Sequence, residues 1–201
     1  MPIPFRDSDT VEELGAAAFL TLCPAAGGTG YLGALLLINA RGEPLEFAYN
    51  RVETPDTFLW RGLDLRRHAE RKLTASLLTI CARTPRLLLC RADEVRSELF
   101  CEDLRLEVPV GRVGEPLKAT AYSSAESEER LEDLEDSEDL EDSEETAQIG
   151  PLHLFWFPEP PPPDCAPRRL FDQLRARGLL LEPFQRAVTG LREVYAADVA
   201  Q

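Results

Sequence analysis

Hydrophobic and polar residues follow two different periods along the first half of this chain. Residues 31–39 are apolar on both alternating faces, which is typical of a strand in the centre of a sheet. Residues 44–49 alternate between apolar and polar, which predicts a half-buried strand, and the glycine-containing segment 40–43 predicts a β-hairpin between the two. From 64 to 83 apolar residues recur every three or four positions, which predicts one long amphipathic helix.

Shorter apolar runs predict further strands on both sides of this helix. Residues 19–23 predict a first strand, and residues 86–91 predict a buried strand after the helix ends at Thr84-Pro85. Alternation within 95–101 and within 104–110 predicts two more strands. The fold class that follows is α/β, with a mostly antiparallel sheet and the long helix on one face.

The last quarter of the chain has a different pattern. Residues 152–157 are the most aromatic segment and predict a strand or a short hydrophobic anchor. Prolines in 158–163 predict an extended spacer. Two amphipathic segments follow, around Leu170 and around Phe184, and together they predict a C-terminal αα-hairpin.

Acidic residues are concentrated in one short run. Residues 126–145 hold thirteen of the 36 acids and one base, Arg130, which is a formal charge of −12 out of −14 for the whole chain. Such high charge without aromatic residues predicts a disordered linker. We therefore expect an α/β main domain at 1–120, an acidic low-complexity linker at 121–149, and a C-terminal unit at 150–201.

Cysteine content and hydropathy indicate the compartment. The five cysteines form no CxxC pair, and most of them lie in apolar runs, which predicts free thiols in a reducing environment. The chain shows neither a secretory signal pattern nor an apolar run of the ~20 residues that span a bilayer. The sequence thus predicts a cytoplasmic protein without membrane contact, and it indicates no cofactor or metal.

The predicted long helix carries a cluster of basic residues. Arg66, Arg67, Arg71 and Lys72 lie near or off its apolar stripe, where guanidinium and ammonium groups are able to hold phosphates. They are the candidate nucleic-acid-binding residues. The alternative is a solvated helix face that attracts the acidic run within the same chain, an attraction that salt weakens.

Two carboxylates flank the predicted strand that follows the helix. Glu70 lies on the helix, and Asp93 lies just beyond residues 86–91. With the preceding hairpin, this order resembles the RNase H-like fold over roughly residues 18–94. The resemblance implies carboxylates that help bind two metal ions for phosphodiester cleavage. The chain departs from that pattern in its first strand, because residues 19–23 lack the aspartate on which the family's chemistry depends.

The same elements also resemble the roadblock and longin group of small scaffolds, which implies protein assembly without catalysis.

The remaining motifs do not indicate a catalytic or metal site. The glycine-rich segment 27–30 lacks the P-loop lysine and is interpreted as a strand connection. His68 and His153 have no partner at metal or triad spacing, so both are interpreted as structural or exposed.

The C-terminal unit offers candidate anchors for a protein partner, if it does not pack on the main sheet. The apolar residues that would serve are Leu154, Phe155, Trp156, Phe184 and Leu191.

Because the catalytic set is incomplete, the leading hypothesis is a non-catalytic adaptor or accessory subunit acting through protein association, and we do not expect an enzyme. The alternative is a diverged RNase H-like protein that binds nucleic acid with the basic helix face. The oligomeric state is not predicted.

Overall fold

The structure is a computed structural model that describes residues 11–25, 30–54, 58, 60–114, 147–149 and 152–196. The strands are β1 (Ala16–Pro24), β2 (Gly30–Asn39), β3 (Pro44–Glu53), β4 (Leu87–Arg91), β5 (Val110–Gly114), β6 (Ala147–Ile149) and β7 (Leu152–Phe157). The helices are α1 (Val11–Leu14), α2 (Gly62–Ile80), α3 (Ala166–Ala176) and α4 (Glu182–Val194), with a one-turn π-helix at Leu99–Asp103.

The seven strands form one sheet in the order β3-β2-β1-β4-β5-β7-β6. The first three strands make an antiparallel meander, and β1 then pairs in parallel with β4, which pairs in parallel with β5. Antiparallel pairing returns between β5 and β7 and between β7 and β6. The α/β class is confirmed, and most pairings are antiparallel as predicted, but the sheet is mixed.

Helices cover both faces of this sheet. The alternation of β1 decides what each face receives, since Phe19 packs with α3 and α4 whereas Leu20 packs with α2. Gly33 in β2 allows α2 to approach closely, because a Cβ there would lie 3.0 Å from the side chains of Leu22 and Leu77. Two separate cores result, one on each side of the sheet.

Several predicted elements are confirmed by the structure, among them the hairpin, the long helix and the strands at 86–91 and 152–157. The predicted strands at 95–101 and 104–110 are wrong. Val95 and Leu99 are both buried at a spacing of four, which suits a helical turn as well as a strand, and the chain forms the π-helix there. The strand that does follow, β5, contains two glycines and Arg112, so it lacked an apolar signature.

The C-terminal unit contributes strands to the sheet and helices to the layer that packs on one of its faces. The aromatic segment is β7, and Ala147–Ile149, at the end of the predicted linker, form β6. Both predicted helices form, but each packs against the sheet, so an αα-hairpin is not confirmed. Residues 115–146, which include the acidic run, lie outside the described residues. Within the described part of the chain, no helix is both long enough and apolar enough to cross a membrane.

Candidate functional site

The parallel strands β1, β4 and β5 end at the same side of the sheet, which we call the carboxyl edge. Ligands of open α/β sheets bind outside this edge. A hollow of about 190 Å³ lies here and is lined in part by Arg91, Gly114 and Gln185. The N-terminal half of α2 is tied to the same edge, because Arg66 donates a hydrogen bond to the backbone oxygen of Glu94 at 3.1 Å.

Glu70 is the most deeply buried acid near this edge, with a side chain 4% exposed. Its position on α2, beside buried Ala69 and Leu73, turns it toward the sheet. Arg66 donates to one carboxylate oxygen at 2.6 Å, and the Nε atom of Arg96 lies 3.6 Å from the other. Burial raises the pKa of Glu70, and the two guanidinium groups oppose that rise. Both oxygens of this carboxylate are therefore already held by cations.

Glu94 is a second acid at the carboxyl edge, and the sequence analysis missed it. One of its oxygens accepts the backbone N–H of Leu22 in β1 at 3.4 Å, and the other lies 3.5 Å from Nε of Arg91. Burial raises its pKa to about 7; Arg91 lowers the value, and Asp93 raises it. Its position in the turn after a buried strand, directly beside Asp93, is the sequence signal that identifies it as a candidate.

Asp93, the predicted partner of Glu70, is paired with an arginine of its own. Arg91 donates to its two oxygens at 3.0 and 2.6 Å. Buried Arg112 fixes the backbone of the same turn by donating to the carbonyl oxygens of Val95 and Ala92. The predicted carboxylate pair is thus divided between two separate groups of arginines.

The residues at this edge do not fit the two metal ions that the RNase H-like resemblance implies. The first strand, β1, contributes Thr21 and Leu22 where a bridging carboxylate is needed. Guanidinium groups already occupy Glu70 and Asp93. Among the described residues, no group of three or more His, Cys, Asp or Glu side chains is placed to hold a metal.

A groove of about 390 Å³ runs along the outward side of α2. It is lined by Trp60, Asp64, Arg67, His68, Arg71 and Asp103. The Trp60 and His68 rings lie 5.1 Å apart at an interplanar angle of 51°. Arg67 makes two hydrogen bonds to Asp103, at 2.9 and 3.0 Å, and a third to Glu102 at 2.7 Å. This ion-paired network forms the wall between α2 and the π-helix.

The structure divides the four predicted basic residues into two pairs. Arg66 and Arg67 are engaged by carboxylates and are half-buried. Arg71 and Lys72 are exposed, and within the described chain neither has an ion-pair partner. Arg61, just before α2, shares that exposed state and was not among the four. The positive charge that remains available on α2 and just before it therefore comes from Arg61, Arg71 and Lys72.

The predicted partner anchors lie in the interior of the molecule. Leu154, Trp156, Phe184 and Leu191 are buried in the core between the sheet and the helices α3 and α4. Phe155 points to the other face and is half-buried. The structure thus follows the alternative that the sequence left open, in which this unit packs onto the main sheet.

The remaining sequence candidates contribute no further site. Most of the glycine-rich segment 27–30 lies outside the described residues, and only Gly30 is placed, in β2. His153 lies in β7 with its ring 6.2 Å from that of Phe155. None of the five cysteines, all of which lie among the described residues, forms a disulfide, but the burial expected from their apolar surroundings holds fully only for Cys90, and Cys101 is exposed.

The strand order, with helices on both faces, defines the class of the fold as α/β with a mixed sheet. No known protein family and no curated protein matches the sequence. Among solved structures, the catalytic domain of human endonuclease V is similar at 13% identity and a TM-score of 0.50, over 97% of this chain and 90% of that one. At this identity the likeness shows the fold alone.

Two further structures extend the comparison. Endonuclease V from Bacillus subtilis matches 56% of this chain at 13% identity and a TM-score of 0.38, and the matched part spans 49% of that protein, about half its length. Argonaute from Marinitoga piezophila, in complex with guide RNA and target DNA, matches 83% of this chain and 26% of its own at 9% identity and a TM-score of 0.35.

Proposed function

We propose that this protein binds nucleic acid, with the outward side of α2 as its contact surface. The observation that carries the proposal is the set of exposed cations on the helix beside the carboxyl edge and just before it, namely Arg61, Arg71 and Lys72. The fold supports it, because the human structure that shares this fold over nearly the whole chain is the catalytic domain of an endonuclease. Exposed cations contact phosphates and release condensed counterions, which is the main source of non-specific affinity.

Binding without metal-dependent cleavage is the form of the proposal that the charged groups favour. A nuclease of this fold needs carboxylates that are free to hold metal ions. Here Glu70 is held between Arg66 and Arg96, and Asp93 is held by Arg91. These arginines neutralise the acids from within the chain.

The adaptor hypothesis that the sequence favoured has no comparable support. Most of its anchor residues are buried in the core, and the human structure that is similar over nearly the whole chain is the catalytic domain of an endonuclease. We therefore propose nucleic-acid binding in its place, as the alternative considered from the sequence.

The proposal is tested by binding of a fluorescently labelled oligonucleotide over a range of salt concentrations. The double variant Arg71→Ala/Lys72→Ala is compared with Arg169→Ala/Arg175→Ala, which removes two exposed cations from α3 on the opposite face. The α2 variant should bind more weakly, and its salt slope should fall by about 1.4 for two lost phosphate contacts to a single strand. The α3 variant should match the wild type. Equal loss in both variants would show that binding follows net charge and not this surface.

A further inference from the structure

We infer that the groove along α2 takes unpaired bases, so that the nucleic acid bound is single-stranded. The inference rests on the proposed function and adds the substrate class to it. Its physical basis is a ring pair, Trp60 with His68, placed among exposed cations on one side of a helix.

Large apolar side chains are exposed just before α2 and in its first turn. Phe58 is 83% exposed, Trp60 is 39% exposed and Leu63 is 40% exposed. Aromatic rings left in water at a surface are poised to gain free energy when another flat apolar surface covers them. A nucleobase offers such a surface, and stacking on aromatic side chains is how single strands are held without sequence preference.

The charges around the groove are arranged for a base at the centre and phosphates at the rim. Inside the groove, Arg67 is neutralised by its bidentate pairing with Asp103. The exposed cations Arg61, Arg71 and Lys72 lie on the same helix or just before it. The four charged residues of the lining, Asp64, Arg67, Arg71 and Asp103, sum to a formal charge of zero. A lining with rings and balanced charges, beside the further exposed cations Arg61 and Lys72, matches the alternation of flat bases and anionic phosphates along a strand.

The helix geometry explains why these groups share one side. Asp64, His68 and Arg71 are spaced by three or four residues, which places them on one stripe of α2, and Trp60 lies just before the helix with its ring beside that of His68. The buried stripe, which includes Leu65, lies on the other side of the helix. The groove volume, about 390 Å³, falls in the range of roughly 300–1,000 Å³ found for small-ligand sites.

A double helix would use this surface poorly. Its bases are already stacked and paired inside, so it presents phosphates and groove edges while Trp60 and Phe58 would remain uncovered. The cations alone would then supply the affinity. A single strand uses the rings and the cations together, and it is therefore expected to bind more tightly than a duplex of the same length.

The two tryptophans of the chain allow a direct test on the full-length protein. Trp156 is buried and Trp60 is exposed, so a base that stacks on Trp60 should quench the fluorescence of Trp60 and leave that of Trp156 unchanged. Three probes of equal length are titrated: a single-stranded oligonucleotide, the corresponding duplex, and an abasic strand that has the phosphates but lacks the bases. Quenching is expected with the first and not with the abasic strand.

Variants separate stacking from charge. Trp60→Ala should weaken binding of the single strand by about 10-fold or more, whereas Trp60→Phe keeps a ring and should retain most of the affinity. Binding of the abasic strand should not change in either variant. Tyr49→Ala, which removes an exposed ring on β3 beside Tyr195, is the matched control and should bind as the wild type does.

The outcomes distinguish the two proposals. If none of the three probes binds at low salt, the proposed function itself fails. If the probes bind but the abasic strand or the duplex binds as tightly as the single strand, nucleic-acid binding stands and the stacking inference is overturned. Loss of binding in Trp60→Ala with unchanged thermal unfolding, together with retention in Trp60→Phe, supports the inference.

Discussion

The two faces of the sheet are built from different chemistry. The face covered by α3 and α4 is packed with aromatic rings. The ring centroids of Phe19 and Phe184 lie 5.1 Å apart, and those of Trp156 and Phe171 lie 5.2 Å apart. The face covered by α2 also has a leucine core, but it buries Glu70 beside Arg96 as well.

The contrast separates what stabilises this molecule from what is available for binding. Apolar burial contributes roughly 25 cal/mol per Å² without any directional requirement, so the α3 and α4 face is expected to stabilise the fold. Buried ion pairs contribute little net stability because desolvation offsets their attraction. The α2 face therefore carries groups whose presence stability alone does not explain, and it is the side on which we place binding.

The largest effect is expected from the apolar face. Phe171→Ala removes a fully buried ring from the contact with Trp156 and should lower the free energy of unfolding by about 3–5 kcal/mol. Urea denaturation measures this loss. At temperatures where the variant stays folded, its affinity for an oligonucleotide should equal that of the wild type. A selective loss of affinity in folded protein would contradict the division between the faces.

On the α2 face, breaking the buried ion pair should be costly, whereas replacing both partners should not. Glu70→Ala leaves Arg96, with a side chain 9% exposed, without its carboxylate, and should destabilise the fold by about 3 kcal/mol. The double variant Glu70→Leu/Arg96→Met fills the space with apolar atoms and should recover most of that loss. Denaturant midpoints of the three proteins decide the point. If the double variant is no more stable than Glu70→Ala, the pair contributes more than charge compensation.

The carboxyl edge should make stability depend on pH through Glu94. Burial raises its folded pKa to about 7 from an ordinary value of 4.5, so the native state holds this proton more tightly than the unfolded chain does. The resulting stabilisation, at most about 3 kcal/mol, is fully present below pH 4.5 and is lost as the pH rises to 7. Glu94→Gln cannot ionise, so the variant should gain stability over the wild type across this window.

Thermal unfolding at several pH values provides the measurement. The quantity to compare is the difference between Glu94→Gln and the wild type, because the other titrating groups are common to both proteins. Glu102→Gln, which changes an exposed acid, serves as the control and should show no comparable rise. A constant difference between Glu94→Gln and the wild type from pH 4.5 to 7 would mean that Glu94 ionises normally in the folded protein.

The smallest effect concerns the acidic run. If residues 126–145, with a charge of −12, compete with phosphates for the exposed cations of α2, deleting them should strengthen oligonucleotide binding a few-fold at low salt. The gain should fade as salt is added, and it should be smaller in the Arg71→Ala/Lys72→Ala background. Unchanged affinity and unchanged salt dependence after the deletion would show that the run does not reach this surface.

Sequence patterns predicted the elements best where one period ran for many residues. Apolar spacing located α2 within a few residues of its bounds, and the two-sided apolar run at 31–39 correctly indicated a central strand. The parallel pairing of β1 with β4 was not predictable from local pattern, because it joins residues about 70 positions apart. The π-helix was missed because Val95 and Leu99, both buried and four residues apart, also fit an alternating strand.

The sequence predicted which types of residue lie at the candidate site, but not which of them form ion pairs. A helical pattern identifies which residues lie off the apolar stripe, so it selected Arg66, Arg67, Arg71 and Lys72 together. It cannot show that carboxylates from a distant element, such as Asp103 of the π-helix, neutralise some of them. The role of Trp60 depends on the groove between α2 and the π-helix, and no local pattern encodes that groove.

The place of β1 in the sheet also bears on how the chain acquires its structure. On one side β1 pairs with β2, which follows it after a short connection. On the other side it pairs with β4, which comes later in the chain, after α2. Contacts between distant residues slow folding because loop-closure entropy is lost before they form. We expect the β1–β2–β3 meander to form early and the parallel half to assemble on it. In stopped-flow refolding, substitutions in Leu35 should slow folding, and those in Val113 should mainly accelerate unfolding.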